Sequence, residues 1–318
     1  MAKASIILSY FSPLGCALPA QHFAQTLQMC VASGAEVCVA QVVQSHQSPV
    51  ETEGAAHSLV FHSDELIFYK ENLWNLAAAQ ATSDKLIFID ADIYYHRGDW
   101  LDQICNALDK FDIIQPFDTA YWEAQNGTID TTFIRPAWCK AIARRENPTF
   151  MRYHPGFGYA MTRSAFAATG GFYELGCMGN GDSMFAVAVT PEPLILPMIR
   201  HIRVAVSPRG SEYLYGSYKA FIAPAFIDYR LKVQDANLKV GYTPHCDIFH
   251  KWHGTRDNRD YINRHSYVDW PDANPPVRKR KDGLLQWTAP QPRVKQYWLK
   301  RDDDGKTKGQ KPLRFTPK

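Results

Sequence analysis

The chain has 318 residues, 46% of them hydrophobic and 21% charged, with 20 prolines and 19 glycines. That is a globular composition, and it excludes collagen-like, disordered or low-complexity structure for most of the length. The net charge of +3 averages two unlike regions: Pro276 to Lys318 carries 13 lysines and arginines against 4 acidic residues, or +9, leaving residues 1–275 with 22 against 28, or −6.

Ser5 to Tyr10 is an apolar run that predicts a strand, closed by the turn-rich Ser12-Pro13-Leu14-Gly15. His22 to Ala32 places Phe23, Leu27, Cys30 and Val31 at helical spacing and stops at Ser33-Gly34. Glu36 to Val43 reads as a second strand, Asn72 to Ala81 as a helix broken by Thr82-Ser83-Asp84, and Lys85 to Ile89 as a third strand. Further strands are expected at Ile113 to Gln115 and Tyr159 to Met161, and a helix from Ser164 to Thr169. This alternation predicts a Rossmann-like, three-layer α/β/α domain with a mainly parallel sheet over residues 1–270. From Pro271 onward the pattern dissolves into Pro275-Pro276, Arg278-Lys279-Arg280-Lys281 and a lysine-rich end, which predicts a flexible or partner-ordered basic tail over residues 271–318.

The seven cysteines are scattered and include no Cys-x-x-Cys pair, so neither a disulfide framework nor a zinc knuckle is expected. No segment approaches the roughly 20 apolar residues of a membrane span. A soluble cytoplasmic protein is the expectation. Phosphate-loop, dinucleotide-fingerprint and nucleophile-elbow motifs are absent, which disfavours an NTPase, a Rossmann dehydrogenase and an α/β-hydrolase.

Chemistry concentrates at Leu86-Ile87-Phe88-Ile89-Asp90-Ala91-Asp92, where a strongly apolar strand ends in two carboxylates. In a doubly wound sheet ligands bind beyond the carboxyl ends of the strands. Hard divalent cations prefer oxygen ligands and share them with substrate phosphates, so Asp90 and Asp92 are candidate ligands for Mn2+ or Mg2+. His250, after the expected strand Cys246 to Phe249, can complete such a site, and His253 stands beside it. Arg256, Arg259 and Arg264 are candidate phosphate clamps.

Asp90-Ala91-Asp92, preceded by Lys70-Glu71-Asn72-Leu73-Trp74-Asn75, resembles the core of GT-A glycosyltransferases, in particular the family 2-like enzymes. Gly170-Gly171-Phe172-Tyr173-Glu174 with Gly179-Asn180-Gly181-Asp182 resembles their acceptor-side elements, and His250-Lys251-Trp252-His253-Gly254 their closing histidine motif. The resemblance covers residues 4–265. It implies a nucleotide-sugar donor, a UDP-sugar being favoured, contacted by Ser9, Tyr10, Phe11, Lys70, Asn75, Asp90, His253 and Arg256. It also implies Asp182 as the base of an inverting transfer, although Gly181 stands where the family usually has Glu. Phe172 and Tyr173 are expected to offer an apolar face to a sugar or base, and Gly170-Gly171 can also simply end a helix.

The basic tail, with Trp287, Tyr297, Trp298 and Phe315 among its cations, has the composition of a polyanion-binding segment. Hydroxymethylated-base DNA and a saccharide are therefore both candidate acceptors. A catalytically inactive glycan- or nucleic-acid-binding protein of the same fold, and a nucleotidyltransferase, are the competing readings.

Overall fold

The computed structural model describes residues 2–196, 220–255, 259–260, 264–270 and 273–305. In chain order its elements are β1 (Ser5–Phe11), α1 (Ala17–Ala32), β2 (Glu36–Val43), β3 (His57–His62), α2 (Lys70–Ala78), β4 (Lys85–Ile89), β5 (Ile93–Tyr95), α3 (Trp100–Leu108), β6 (Ile113–Gln115), β7 (Thr119–Glu123), β8 (Ile129–Pro136), α4 (Trp138–Ala143), β9 (Gly158–Thr162), α5 (Arg163–Thr169), α6 (Gly181–Val189), α7 (Pro224–Asp235), β10 (Val240–Tyr242), β11 (Ile248–His250), β12 (Val277–Lys279), β13 (Leu285–Trp287) and α8 (Pro292–Lys300).

Seven strands form the central sheet in the order β10-β6-β9-β4-β1-β2-β3. All of its pairings are parallel except those of β9, which runs against β4 and β6. The period of two along each strand divides its side chains between two layers. Ile6, Leu8, Val37, Val39, Ile87 and Ile89 face α1 and α3 through Phe23, Leu27, Ile104 and Leu108. Ile7, Cys38, Ala40, Leu86 and Phe88 face the other way, onto Leu73, Trp74, Trp138 and Phe185 of α2, α4 and α6. The expected three-layer α/β/α domain with a mainly parallel sheet is thus the one observed. A smaller sheet, β5-β11-β7-β8, flanks it, and β12-β13 form a hairpin.

The tail differs from its expectation. Residues 273–305 are folded: Val277, Leu284, Leu285, Val294, Tyr297 and Trp298 are buried in the same core cluster as α2 and α6. Charge dominates the average composition of this segment, yet Val294, Tyr297 and Trp298 recur at i, i+3 and i+4 and give α8 one apolar stripe. A boundary at 271 therefore cuts through the folded body. Residues 306–318, Phe315 among them, lie outside the described residues.

Candidate active site

Because β1 and β4 are parallel neighbours, their carboxyl ends open on the same side, bringing Ser9, Tyr10 and Phe11 beside Asp90 and Asp92. The Asp90–Asp92 turn is held from three directions. Asp90 N donates to Phe157 O at 3.0 Å, Thr26 Oγ1 donates to Ala91 O and Ile93 O, each at 3.0 Å, and Lys251 N donates to Asp92 O at 2.8 Å. In the small sheet, His250 pairs with Ile93 on one side and with Trp122 on the other, so register alone delivers an imidazole to the second aspartate.

Asp92, His250 and His253 converge. His253 Nε2 lies 2.9 Å and His250 Nε2 3.4 Å from Asp92 Oδ2, and the two ring nitrogens are 3.2 Å apart. Two neutral imidazoles cannot both point lone pairs at one spot unless a proton or cation lies between them. Burial pushes His250 down to about 4, so its ring is neutral at physiological pH and free to ligate. Burial works against ionising Asp92, but the two histidines outweigh it and hold the carboxyl well below its usual range. Asp92 Oδ1 is buried without a hydrogen-bond partner among the described residues. Two imidazole nitrogens and one carboxylate make a donor set suited to a divalent metal, and their ligand atoms lie within 4.8 Å of one another.

Asp90 belongs to a different group. Lys70 Nζ lies 3.2 Å from Asp90 Oδ1, 3.5 Å from Asp182 Oδ2 and 3.6 Å from Glu71 Oε1. The structure therefore pairs Asp90 with Lys70 and puts His253, expected as a donor contact, beside Asp92 and His250. Burial, reinforced by Asp92 and Asp182, raises Asp90 to about 6 despite Lys70. Asp182, in the first turn of α6, is held below its usual value against burial, chiefly by Lys70 and then His154.

These groups line one cavity of about 760 Å³, with Ser9, Tyr10, Phe11, Lys70, Asp90, Asp92, Asp182, His250 and His253 all on its wall. That volume is in the usual range for small-molecule sites. Arg259 and Arg264 line it as well, Arg259 donating to Gly254 O at 3.3 Å and Arg264 to Gly179 O. Arg256 lies outside the described residues. Asn75 does not line the cavity: its amide clamps the backbone of Phe172, donating to O and accepting from N at 2.9 Å each. Phe172 and Tyr173 are buried in the core instead of facing a ligand. Gly170 caps α5 in the left-handed conformation, at φ +76°.

Sequence reasoning missed His22, Trp122, Phe133, His154, Arg301 and Asp303 and read Trp298 only as part of a polyanion-binding tail; all seven are on the cavity wall. For Trp298 the helical stripe of α8 was a usable signal. For Trp122 none existed, because only the pairing of β7 with β11 brings it to the site.

No protein-family model matches the sequence, and no curated protein matches it. Solved structures of similar fold include the catalytic domain of Drosophila β1,4-galactosyltransferase 7 in complex with xylobiose, at 10% identity and a TM-score of 0.36, covering 77% of this chain and 66% of that one. Glucosyl-3-phosphoglycerate synthase from Mycobacterium tuberculosis in complex with Mn2+, UDP and phosphoglyceric acid is similar at 10% identity and a TM-score of 0.32, covering 52% of this chain and 58% of that one. S. aureus TarS in complex with UDP-GlcNAc is similar at 12% identity and a TM-score of 0.39, covering 58% and 52%. The chain thus spans slightly less than two thirds of the first of these and little more than half of the other two.

Proposed function

We propose that the protein is a metal-dependent, inverting glycosyltransferase that moves a hexosyl group from a nucleotide-sugar, a UDP-sugar being the favoured donor, to an acceptor hydroxyl. One observation carries the reading: Asp92, His250 and His253 converge beside Lys70 and Asp182 at the carboxyl ends of parallel strands, in a cavity large enough for a nucleotide-sugar. Asp92, His250 and His253 would hold a divalent ion, which would supply charge neutralisation to the diphosphate leaving group.

The chain's own residues do the rest. Asp182 is ionised at neutral pH and accepts the acceptor's hydroxyl proton. The acceptor oxygen bonds to the anomeric carbon as the bond from that carbon to the diphosphate oxygen breaks, and the nucleoside diphosphate leaves with the electron pair. Lys70 is shared between Asp90 and Asp182, so a diphosphate competing for its ammonium makes Asp182 a stronger base as the donor binds. Tyr10 and Phe11, at the end of β1, offer rings for the nucleoside base.

For the acceptor, the cavity wall formed by Trp122, Glu123, Asp130 and Phe133 favours a neutral saccharide, because rings pack on a sugar while carboxylates repel phosphates. DNA with a hydroxymethylated base is the other candidate acceptor. Several tail cations that would serve it are committed internally, Lys279 to Glu174, Arg280 to Asp282 and Arg293 to Asp269.

The test is release of nucleoside diphosphate from a panel of nucleotide-sugars with Mn2+, in the presence of simple saccharides or hydroxymethylated DNA. Turnover is expected with at least one donor, and Asp92→Asn should lower it by at least 10²-fold with the fold retained. Binding of a glycan or DNA without turnover of any donor would establish the inactive binding protein instead.

A further inference from the structure

We propose that Asp303 is an outer-sphere positioning residue for His253, which makes residues 301–305 a working part of the metal centre and not an appendage to the domain. This rests on reading Asp92, His250 and His253 as metal ligands. His253 turns Nε2 toward Asp92, and its opposite nitrogen, Nδ1, lies 3.7 Å from Asp303 Oδ1. That carboxylate oxygen is buried and has no hydrogen-bond partner among the described residues, which leaves the imidazole as its counterpart. The other oxygen, Oδ2, accepts from Arg301 Nε at 2.7 Å. Arg301 is fixed in turn: it donates to Tyr297 Oη at 3.0 Å, and its guanidinium lies over Phe68 at 5.1 Å and Trp298 at 5.2 Å.

The backbone is arranged for this approach. Gly254 follows His253 at φ +87°, and a Cβ there would come within 2.2 Å of Asp302 O, so the C-terminal segment closes directly onto the histidine loop. Asp304 ties the same segment to the start of α1 by accepting from Leu18 N at 2.8 Å.

A carboxylate on the far nitrogen of a ligating histidine keeps the proton at Nδ1, aims the Nε2 lone pair at the metal and raises its basicity; losing such a partner typically weakens metal binding 10–100-fold. His250 has no equivalent among the described residues, where its buried Nδ1 finds no hydrogen-bond partner. The two histidines are therefore unequal ligands, and His253 is the one whose tautomer the fold dictates.

Two measurements test this on the full chain. In the wild type loaded with Zn2+ as a diamagnetic probe, ¹⁵N chemical shifts of His253 are expected to show a protonated Nδ1 and a coordinated Nε2; a coordinated Nδ1 would overturn the proposal, and this readout needs no variant to fold. Mn2+ affinity, read from the free-ion electron paramagnetic resonance signal, is expected to fall 10–100-fold in Asp303→Ala and by a clearly smaller factor in Asp304→Ala, which loosens the segment's tie to α1 but keeps the carboxylate on His253. Equal losses in both variants would make the effect one of segment order and overturn the assignment to Asp303. Unchanged affinity in Asp303→Ala beside a clear loss in His253→Ala would likewise remove Asp303 and leave the metal site standing. Unchanged affinity in His253→Ala would instead remove the metal reading itself.

Discussion

Glu71 shows what a single residue can hide. The motif Gly181-Asp182 departs from the resemblance by lacking a glutamate before the aspartate, and the structure supplies a physical reason. A Cβ at position 181 would fall 2.2 Å from Glu71 Cδ, so a carboxylate from α2 already fills the space beside Asp182. No reading of the sequence order finds this, because the two residues are 110 positions apart and meet only where α2 packs on α6. Glu71 is nearly fully buried, and burial lifts its carboxyl to about 7 despite Lys70. Since the folded-state value lies above the unfolded one of 4.5, the native state binds more protons between those values. The contribution of this group is fully present below about pH 4.5 and is lost as pH rises through 7. Glu71→Gln stays neutral throughout, so its stability relative to wild type should climb between pH 5 and pH 8, by on the order of a few kcal/mol. Urea denaturation of the metal-free proteins at several pH values measures the difference, and a pH-independent gap between the two would contradict the assignment.

Among the elements, legibility followed burial. β2, β4 and β6 have the bounds expected from their apolar runs, because strands buried on both faces are written almost wholly in hydrophobic residues. β3 alternates half-buried and exposed positions and sits at the sheet edge, so it offers no such run. The helices were found with shifted ends: α1 starts at Ala17, five residues before the expected start, and α2 runs from Lys70 to Ala78 instead of Asn72 to Ala81. The shift in α2 matters, since it puts Lys70 in the first helical turn, where the packing of α2 fixes its direction into the cavity. α8 was lost to its own charge. Trp298 from that helix stacks on Phe68 with centroids 4.7 Å apart, donates from Nε1 to Leu66 O at 3.2 Å and lines the cavity. A buried tryptophan truncated to alanine typically costs about 3–5 kcal/mol. Trp298→Ala should lose stability of that order and also weaken nucleotide binding, measured by denaturation and by calorimetric titration with UDP and Mn2+. A solvated tail residue would show neither effect.

At the scale of the whole molecule, the −6 of residues 1–275 is not spread evenly: Glu71, Asp90 and Asp182 gather around Lys70 as the cation they share, and Asp92 stands nearby on the cavity wall against His250 and His253. An anionic donor entering such a cavity meets repulsion unless a cation accompanies it, so metal and nucleotide should bind with positive coupling. On the proposed reading, in which Asp92, His250 and His253 hold the ion, the identity of the metal follows from the ligands. Mg2+ demands oxygen donors and gives up its water reluctantly, whereas Mn2+ accepts the two imidazoles of His250 and His253 beside the Asp92 carboxylate. An Asp-x-Asp pair acting alone would favour neither ion so clearly; the histidines, brought in by β11 and the loop after it, set the preference. UDP alone should therefore stabilise the chain little, UDP with Mg2+ modestly, and UDP with Mn2+ most. At a hundredfold excess over Kd the last should reach about 2.7 kcal/mol, a rise of several degrees in Tm for a domain of this size. Excess EDTA should abolish the gain, and His250→Ala should narrow the difference between the two metals while leaving the metal-free Tm within a few degrees of wild type. Equal stabilisation by Mg2+ and Mn2+ in the wild type would mean that the carboxylates bind the ion without the imidazoles.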